Sequence, residues 1–374
     1  MKRWLHSPKA RALGLAVLLL ALLAGSAWGL QQGGFSAESF LPELEIHFID
    51  VGQGDATLIL GPEFTILVDA GRHDRNDVVP YLRSVGVQKI DLLVGTHPHS
   101  DHIGQFPQVL AAFPVVDVWL SGDVHTSRIF ERTLDAILAS EAGYHEPRAG
   151  EVYTLGQLRI EVIHPQQVTG DFNNGSIVLR LVYGDVKVLL TGDAEAPAEH
   201  EMIARGHDLS ADILHVGHHG SSTSTSPEFL AAVNPKVAIY SAGKDNPYGH
   251  PHAEVIERLH RRGVKIYGTD LHGTIRVTTD GKSFEITSER MPQGSPILDA
   301  AAWLEGCAPG QIDINRASLE ELVQIVHIGP ARAEEIIQKR PFTSLDDLLR
   351  ITGIGQGRLG DIKKQGLACV EPAA

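Results

Sequence analysis

The sequence predicts a layered α/β domain followed by a small all-α domain, and three observations carry that prediction. From Leu44 to residue 288, short β-branched runs alternate with stretches of helical spacing, in two successive series. Several of those runs end in loops rich in His or Asp, which gathers polar side chains at the rim of a sheet. After residue 310 the pattern changes to helix, short Gly turn, helix, given twice, with Gly329 and Gly355 26 positions apart.

In order, strands are expected at 44–51, 56–60 and 64–68, with Gly52-Gln-Gly-Asp55 as a tight turn between the first two. Residues 76–85 have helical spacing, 90–94 and 115–120 read as buried strands, and 127–142 is amphipathic. The second series has strands at 158–163, 176–183, 186–190, 212–216 and 236–240, with helices at 196–205, 227–233 and 254–262. Strands at 264–267, 274–278 and 283–286 close it. This gives a domain at 44–288, linkers at 30–43 and 289–310, and a helical domain at 311–370.

The chain has 374 residues and 43% hydrophobic content, enough for a sizeable core. Residues 1–29 carry Lys2, Arg3, Lys9 and Arg11, then an apolar run and small residues, the pattern of a secretory signal peptide, cleaved or kept as an anchor. Secretion or extracytoplasmic residence is expected. Removing those four bases from 32 leaves 28 Lys+Arg against 46 Asp+Glu. So acidic a chain does not grip nucleic acid by net charge alone.

The densest chemistry is Thr96-His-Pro-His-Ser-Asp-His102, which reads H-x-H-x-D-H directly after a strand. Imidazoles and a carboxylate at that density suit Zn, Mn or Fe, and a solvated polar loop explains them less well. Asp193 follows the strand 186–190; as an isolated residue it reads equally well as a turn aspartate or the cap of the next helix. The Ser221–Ser226 run reads as a flexible polar loop, His252 sits where a helix begins, and His73, His125, His145 and His164 are expected at the surface.

Taken together, the H-x-H-x-D-H loop, the later Gly192-Asp193 and the histidines at strand ends resemble the metallo-β-lactamase fold, an αββα sandwich. Asp50-Val-Gly-Gln-Gly-Asp-Ala56, His218-His-Gly-Ser221 and Tyr248-Gly-His-Pro251 narrow the resemblance to the hydrolase domain of ComEC-type competence proteins, over about residues 44–288. That resemblance implies one or two divalent ions, Zn or Mn. His97 and His99 would hold one, Asp101 and His102 the second, and Asp193 would bridge them, with His218 as a further ligand. Asp101, His219 and His250 make up the implied catalytic set, the two histidines facing substrate. Many members of the fold carry a further histidine where this chain has Asn173-Asn-Gly-Ser176, which weakens the first position.

The tail opens with Asp313-Ile-Asn-Arg-Ala-Ser318 and resembles the paired helix-hairpin-helix module of ComEA-type DNA receptors. Ser318-x-x-Glu321 is a capping-box pattern, and Ser344-x-x-Asp347 a related one. Gly329, Gly353 and Gly355 let helix-start N–H groups approach phosphate without reading sequence, and Arg358, Lys363 and Lys364 add charge. His327 stands where the first hairpin would have a glycine. Residues 311–374 hold 8 Lys+Arg and 9 Asp+Glu, which points to modest DNA affinity or to a plain interaction domain. Cys307 and Cys369, the chain's 2 cysteines, flank this module and are expected to pair in an exported protein.

Three functions follow, in descending order. The first is an exported metal-dependent phosphodiesterase, a DNase holding DNA with its tail. The second is a hydrolase of a small ester, lactone or β-lactam, and the third a non-catalytic DNA-binding receptor.

Overall fold

The structure, a computed structural model, describes residues 43–290, 307, 310–342 and 345–370. The expected signal peptide, nearly all of both linkers and the Ser344 cap lie outside the described residues.

Two sheets face each other. The first contains β1 (Leu44–Phe48), β2 (Thr57–Leu60), β3 (Thr65–Val68), β4 (Ile90–Gly95), β5 (Val115–Leu120), β6 (Gly143–His145), β14 (Ile275–Thr279) and β15 (Phe284–Ser288), in the order β15-β14-β1-β2-β3-β4-β5-β6. The second contains β7 (Val152–Leu155), β8 (Leu158–His164), β9 (Val178–Tyr183), β10 (Val186–Leu190), β11 (Ile213–His215), β12 (Val237–Tyr240) and β13 (Lys265–Gly268), in the order β13-β12-β11-β10-β9-β8-β7. Both sheets are mixed: β3 to β6 and β10 to β13 run parallel to their neighbours, the rest antiparallel.

Alternation in the strands explains the layering. Ile46, Phe48, Ile66, Leu92 and Val94 of the first sheet meet Ile160, Leu179, Leu181, Val188 and Ile213 of the second in a buried central layer. The opposite faces bury Leu58, Leu67 and Leu93 under α1 (Val78–Ser84), α2 (Phe106–Ala112) and α3 (Arg128–Ala139). On the other side Leu189, Leu214 and Ala238 lie under α4 (Ala196–Ala204), α5 (Pro227–Val233) and α6 (Ala253–Arg261). The arrangement is the expected αββα sandwich, both sheets being covered on both faces as parallel strands require. Sequence periodicity missed α2, of which only Phe106 and Val109 are buried, and the mostly exposed edge strands β6 and β7.

After α7 (Thr269–His272) and the linker, the tail forms its own core from Ile314, Leu322, Ile336, Leu348, Leu359 and Ile362. It comprises β16 (Ile312–Asp313), α8 (Leu319–Leu322), α9 (Pro330–Lys339), a 3₁₀ turn at Leu345–Arg350, α10 (Gln356–Gln365) and β17 (Ala368–Cys369). Ser318 makes the full capping box with Glu321. Cys307 and Cys369 are paired, with Cα atoms 5.3 Å apart. Among the described residues no helix is long and apolar enough to cross a membrane.

Candidate metal centre and DNA-binding element

Every loop that carries the site leaves one rim of the sandwich. The His-rich loop follows β4, Asp69 follows β3, Asp193 follows β10, and a 3₁₀ turn at Gly217–Gly220 follows β11. These are the carboxyl ends of parallel strands, where loops from both layers converge.

Two overlapping groups form there. Asp55, His102, Asp193 and His219 offer ligand atoms within 4.8 Å of one another, and so do His97, His99 and Asp193. Asp193 belongs to both, as a shared carboxylate would. His219 Nε2 and Asp55 Oδ1 are buried without a hydrogen-bond partner, and His102 Nε2 and Asp193 Oδ1 have only each other, at 3.3 Å. Unmet polar atoms of this kind are expensive unless something binds them, so the donor set fits a divalent cation.

The imidazoles are held in fixed orientations through Nδ1. His102 Nδ1 donates to Asp69 Oδ2 at 2.8 Å, and His219 Nδ1 donates to the Ser241 carbonyl at 2.9 Å. His97 Nδ1 lies 3.1 Å from Thr96 Oγ1, whose hydroxyl donates to Asp69 at 2.8 Å. With Nδ1 engaged in this way, Nε2 is the ring nitrogen left to serve a cation once any proton on it is displaced. Asp69, His218 and His219 all adopt left-handed backbone, at φ of 59°, 50° and 57°, a strain tolerated where side chains must be aimed.

Charge follows from the packing. Burial alone would raise the Asp193 carboxyl, but His102, His219 and His97 outweigh it and hold it well below the usual range. Burial opposes charge on His219, yet Asp193, Asp55 and the Asp101 contact raise it to about 9. For His250, burial and the neighbouring His219, His252 and His218 lower it to about 3, so it faces the cleft as a neutral ring.

The expected site residues therefore separate. His97, His99, His102 and Asp193 come together, and Asp101 Oδ2 stands 3.5 Å from His219 Nε2. Of the two consecutive histidines it is His219, not the expected His218, that joins the group of four. His218 is part-exposed, with Nε2 3.7 Å from Asp193 and Nδ1 3.1 Å from Glu195 Oε1. His218, His219 and His250 line a cleft of about 320 Å³ with Gln53, Asp101 and Tyr248.

Several residues behave differently from their sequence reading. Asn174 Oδ1 accepts from the N–H groups of Glu195 and Ala198 and so caps α4, a job open to Asp193 on sequence alone. Nearby, Ser176 Oγ accepts from the Asp193 N–H at 3.1 Å. His164 is buried, not superficial, and its Nε2 donates to the Asn174 carbonyl at 2.7 Å. His125 also lines the cleft. The Ser221–Ser226 run is packed: Ser224 donates to the Ala194 carbonyl, Ser226 caps α5, and Glu199 accepts from the Ser226 N–H. Sequence reasoning gave no site role to Asp55, Asp69 or Glu195, although Asp55 belongs to the Asp50–Ala56 motif that carries part of the resemblance.

In the tail, Gly329 and Gly355 are the N-caps of α9 and α10, and a Cβ at either would meet nothing within 4 Å. That open space would let an anion approach the helix starts closely. His327 and Gly353, equivalent positions of the repeat, both take left-handed backbone, at φ of 63° and 77°. Arg332, unremarked in the sequence, ties the hairpins together by donating to the carbonyls of His327 and Thr352. Arg358 donates to the Gly353 carbonyl, Lys363 is paired with Asp346 at 2.9 Å, and Lys364 is exposed.

Comparison with known proteins agrees with this geometry. Residues 49–244 match the metallo-beta-lactamase superfamily, more than half of the chain. The chain belongs to that superfamily. Residues 309–365 match the helix-hairpin-helix motif. The chain is 32% identical to ComE operon protein 3 of Bacillus subtilis over 63% of its length and 33% of that protein. It is 35% identical to Recombination protein 2 of Haemophilus influenzae over 67% of this chain and 30% of that one. A protein named Deoxyribonuclease from a Thioalkalivibrio species is 48% identical over 81 residues, 21% of this chain and 22% of its own. The chain spans about a third of the length of these first two relatives. As a superfamily member with a His/Asp donor set, it has the fold of a metal-dependent hydrolase.

Proposed function

We propose that this metallo-beta-lactamase superfamily member is an exported phosphodiesterase that cleaves DNA held by its helix-hairpin-helix tail. One observation carries the reading: a buried His/Asp donor set and a phosphate-binding type of module occur in one chain. Bound Zn or Mn would supply a nucleophilic water at neutral pH and offset charge on the attacked phosphoryl group.

The chain's own residues divide the remaining work. His97, His99 and Asp193 would hold the first ion and Asp101, His102 and His219 the second, Asp193 belonging to both groups. His218, backed by Glu195, presents Nε2 to the cleft and donates a proton to the leaving oxygen. His250 and Gln53, 3.5 Å apart through Nδ1 and Nε2, orient substrate as neutral groups. Gly329, Gly353 and Gly355 with Arg358, Lys363 and Lys364 receive the sugar-phosphate backbone, independent of base sequence.

The test uses metal-stripped protein reloaded with Zn or Mn, labelled single- and double-stranded DNA, and Asp101→Ala and Asp193→Ala as controls. Cleavage that needs metal and is lost in both variants is expected. DNA binding without cleavage would favour a receptor, and turnover of a small ester or lactam without either would favour the other hydrolase reading.

A further inference from the structure

The Gly52-Gln53-Gly54 turn between β1 and β2 does more than join two strands. Gly54 has φ of +142°, and a Cβ there would lie 2.4 Å from the Asp101 carbonyl oxygen. This close approach allows the Asp55 N–H to donate to that carbonyl at 3.1 Å, while the Asp55 carbonyl accepts from the Gly71 N–H at 2.8 Å. The main chain of Asp55 is thereby fixed to both the His-rich loop and the loop after β3.

Its carboxylate has nowhere else to go. Asp55 is 3% exposed, and Oδ1 has no hydrogen-bond partner. Oδ2 is 3.9 Å from His102 Nδ1, and Oδ1 is 3.5 Å from His215 Nε2 and 3.8 Å from His219 Nδ1. All three nitrogens already have closer partners: Asp69, the Ser241 hydroxyl and the Ser241 carbonyl, at 2.8, 3.0 and 2.9 Å. A buried carboxylate persists when it is paired with charge or coordinates metal. One carboxylate oxygen lies within 4.8 Å of a ring nitrogen of His102, a ring nitrogen of His219 and an oxygen of Asp193.

We propose that Asp55 is a ligand of the second metal position, an oxygen donor delivered from the β1–β2 turn in addition to the H-x-H-x-D-H loop. The assignment rests on the metal-centre reading above and adds to it. It makes the second position richer in carboxylate than the first, which has His97, His99 and the shared Asp193. Carboxylate is the harder donor, so losing it weakens Mn²⁺ more than Zn²⁺.

The experiment uses the full chain, stripped and titrated with Co²⁺, Mn²⁺ or Zn²⁺, with metal content read after dialysis and folding checked by circular dichroism. Wild type is expected to retain two ions. Asp55→Asn is expected to keep the first ion and to bind the second more weakly by more than the roughly 10–100-fold that loss of an outer partner costs. Asp55→Cys supplies a direct readout, since both native cysteines are paired. With Co²⁺ it should develop a thiolate-to-cobalt charge-transfer band that wild type lacks. Unchanged metal content in Asp55→Asn, or no such band in Asp55→Cys, overturns the assignment while leaving the centre itself intact. Wild type that retains no metal overturns both.

Discussion

His102 donates from Nδ1 to Asp69 Oδ2 across 2.8 Å, deep under the rim of the sandwich. The same carboxylate takes the Thr96 N–H and hydroxyl at 2.8 Å each, and through Thr96 it steadies His97. One aspartate thus orients imidazoles on both sides of the metal centre. Asp69→Asn is expected to weaken metal binding by about 10–100-fold without unfolding the sandwich. A chelator competition titration checks it, and unchanged affinity would refute it.

Metal binding should strengthen as pH rises. In the metal-free protein burial opposes charge on His219 and His102, but the surrounding carboxylates raise His219 to about 9 and His102 well above its usual value. Their imidazolium contacts stabilise the metal-free fold below the ordinary histidine range, and that contribution disappears as pH climbs through about 9. A cation must displace the same protons, so its apparent affinity gains ~10-fold per pH unit for each proton released, up to that point. Calorimetry in two buffers of different ionisation enthalpy counts those protons.

Glu195 and His218 are expected to matter for rate and not for metal. Glu195→Gln and His218→Ala should each lower DNA cleavage, the second by roughly 10²–10⁴-fold, with metal content unchanged. His219→Ala should lose metal as well as activity. Equal metal loss in His218→Ala and His219→Ala would reverse their roles.

His327 occupies a left-handed position that its repeat partner gives to Gly353. Relief of that backbone strain favours His327→Gly by about 1 kcal/mol, offset in part by the lost contact to Asp361 at 2.7 Å. Chemical denaturation of the tail transition reads the net gain, and DNA titration shows whether the first hairpin then binds more tightly.

The Cys307–Cys369 pair closes a loop with a sequence separation of 62. Loop-closure entropy assigns such a link about 4 kcal/mol. Reduction, or Cys307→Ser, should therefore lower the melting of the tail and leave metal binding at the sandwich unaltered.

The strands and the His-rich loop were legible because their signals are local. A β-branched run shows its period within a few residues, and H-x-H-x-D-H concentrates its donors within one loop. Asp55, Asp69 and Glu195 were not, since each acquires its role from a partner brought close only by the packed sheets. His102 lies 33 positions from Asp69, and His218 23 from Glu195. The choice between His218 and His219 was equally hidden. Adjacent left-handed residues point their side chains apart, and no periodicity encodes that. Asn174 illustrates the same limit from the other side, where a residue standing in place of a usual histidine caps the start of a helix 21 positions away.

The donors come from both layers: His97, His99 and His102 from the loop after β4 of one sheet, Asp193 and His219 from loops after β10 and β11 of the other. A shared cation would therefore act as a clasp between two halves, added to their apolar contact and to backbone links such as Ile177 N–H to the Thr96 carbonyl. Exchange of backbone amides at the ends of β4 and β11 should slow together on loading, although those strands never pair. Substitutions in either layer that shift its loops would be felt across the gap as a change in how long the ion stays.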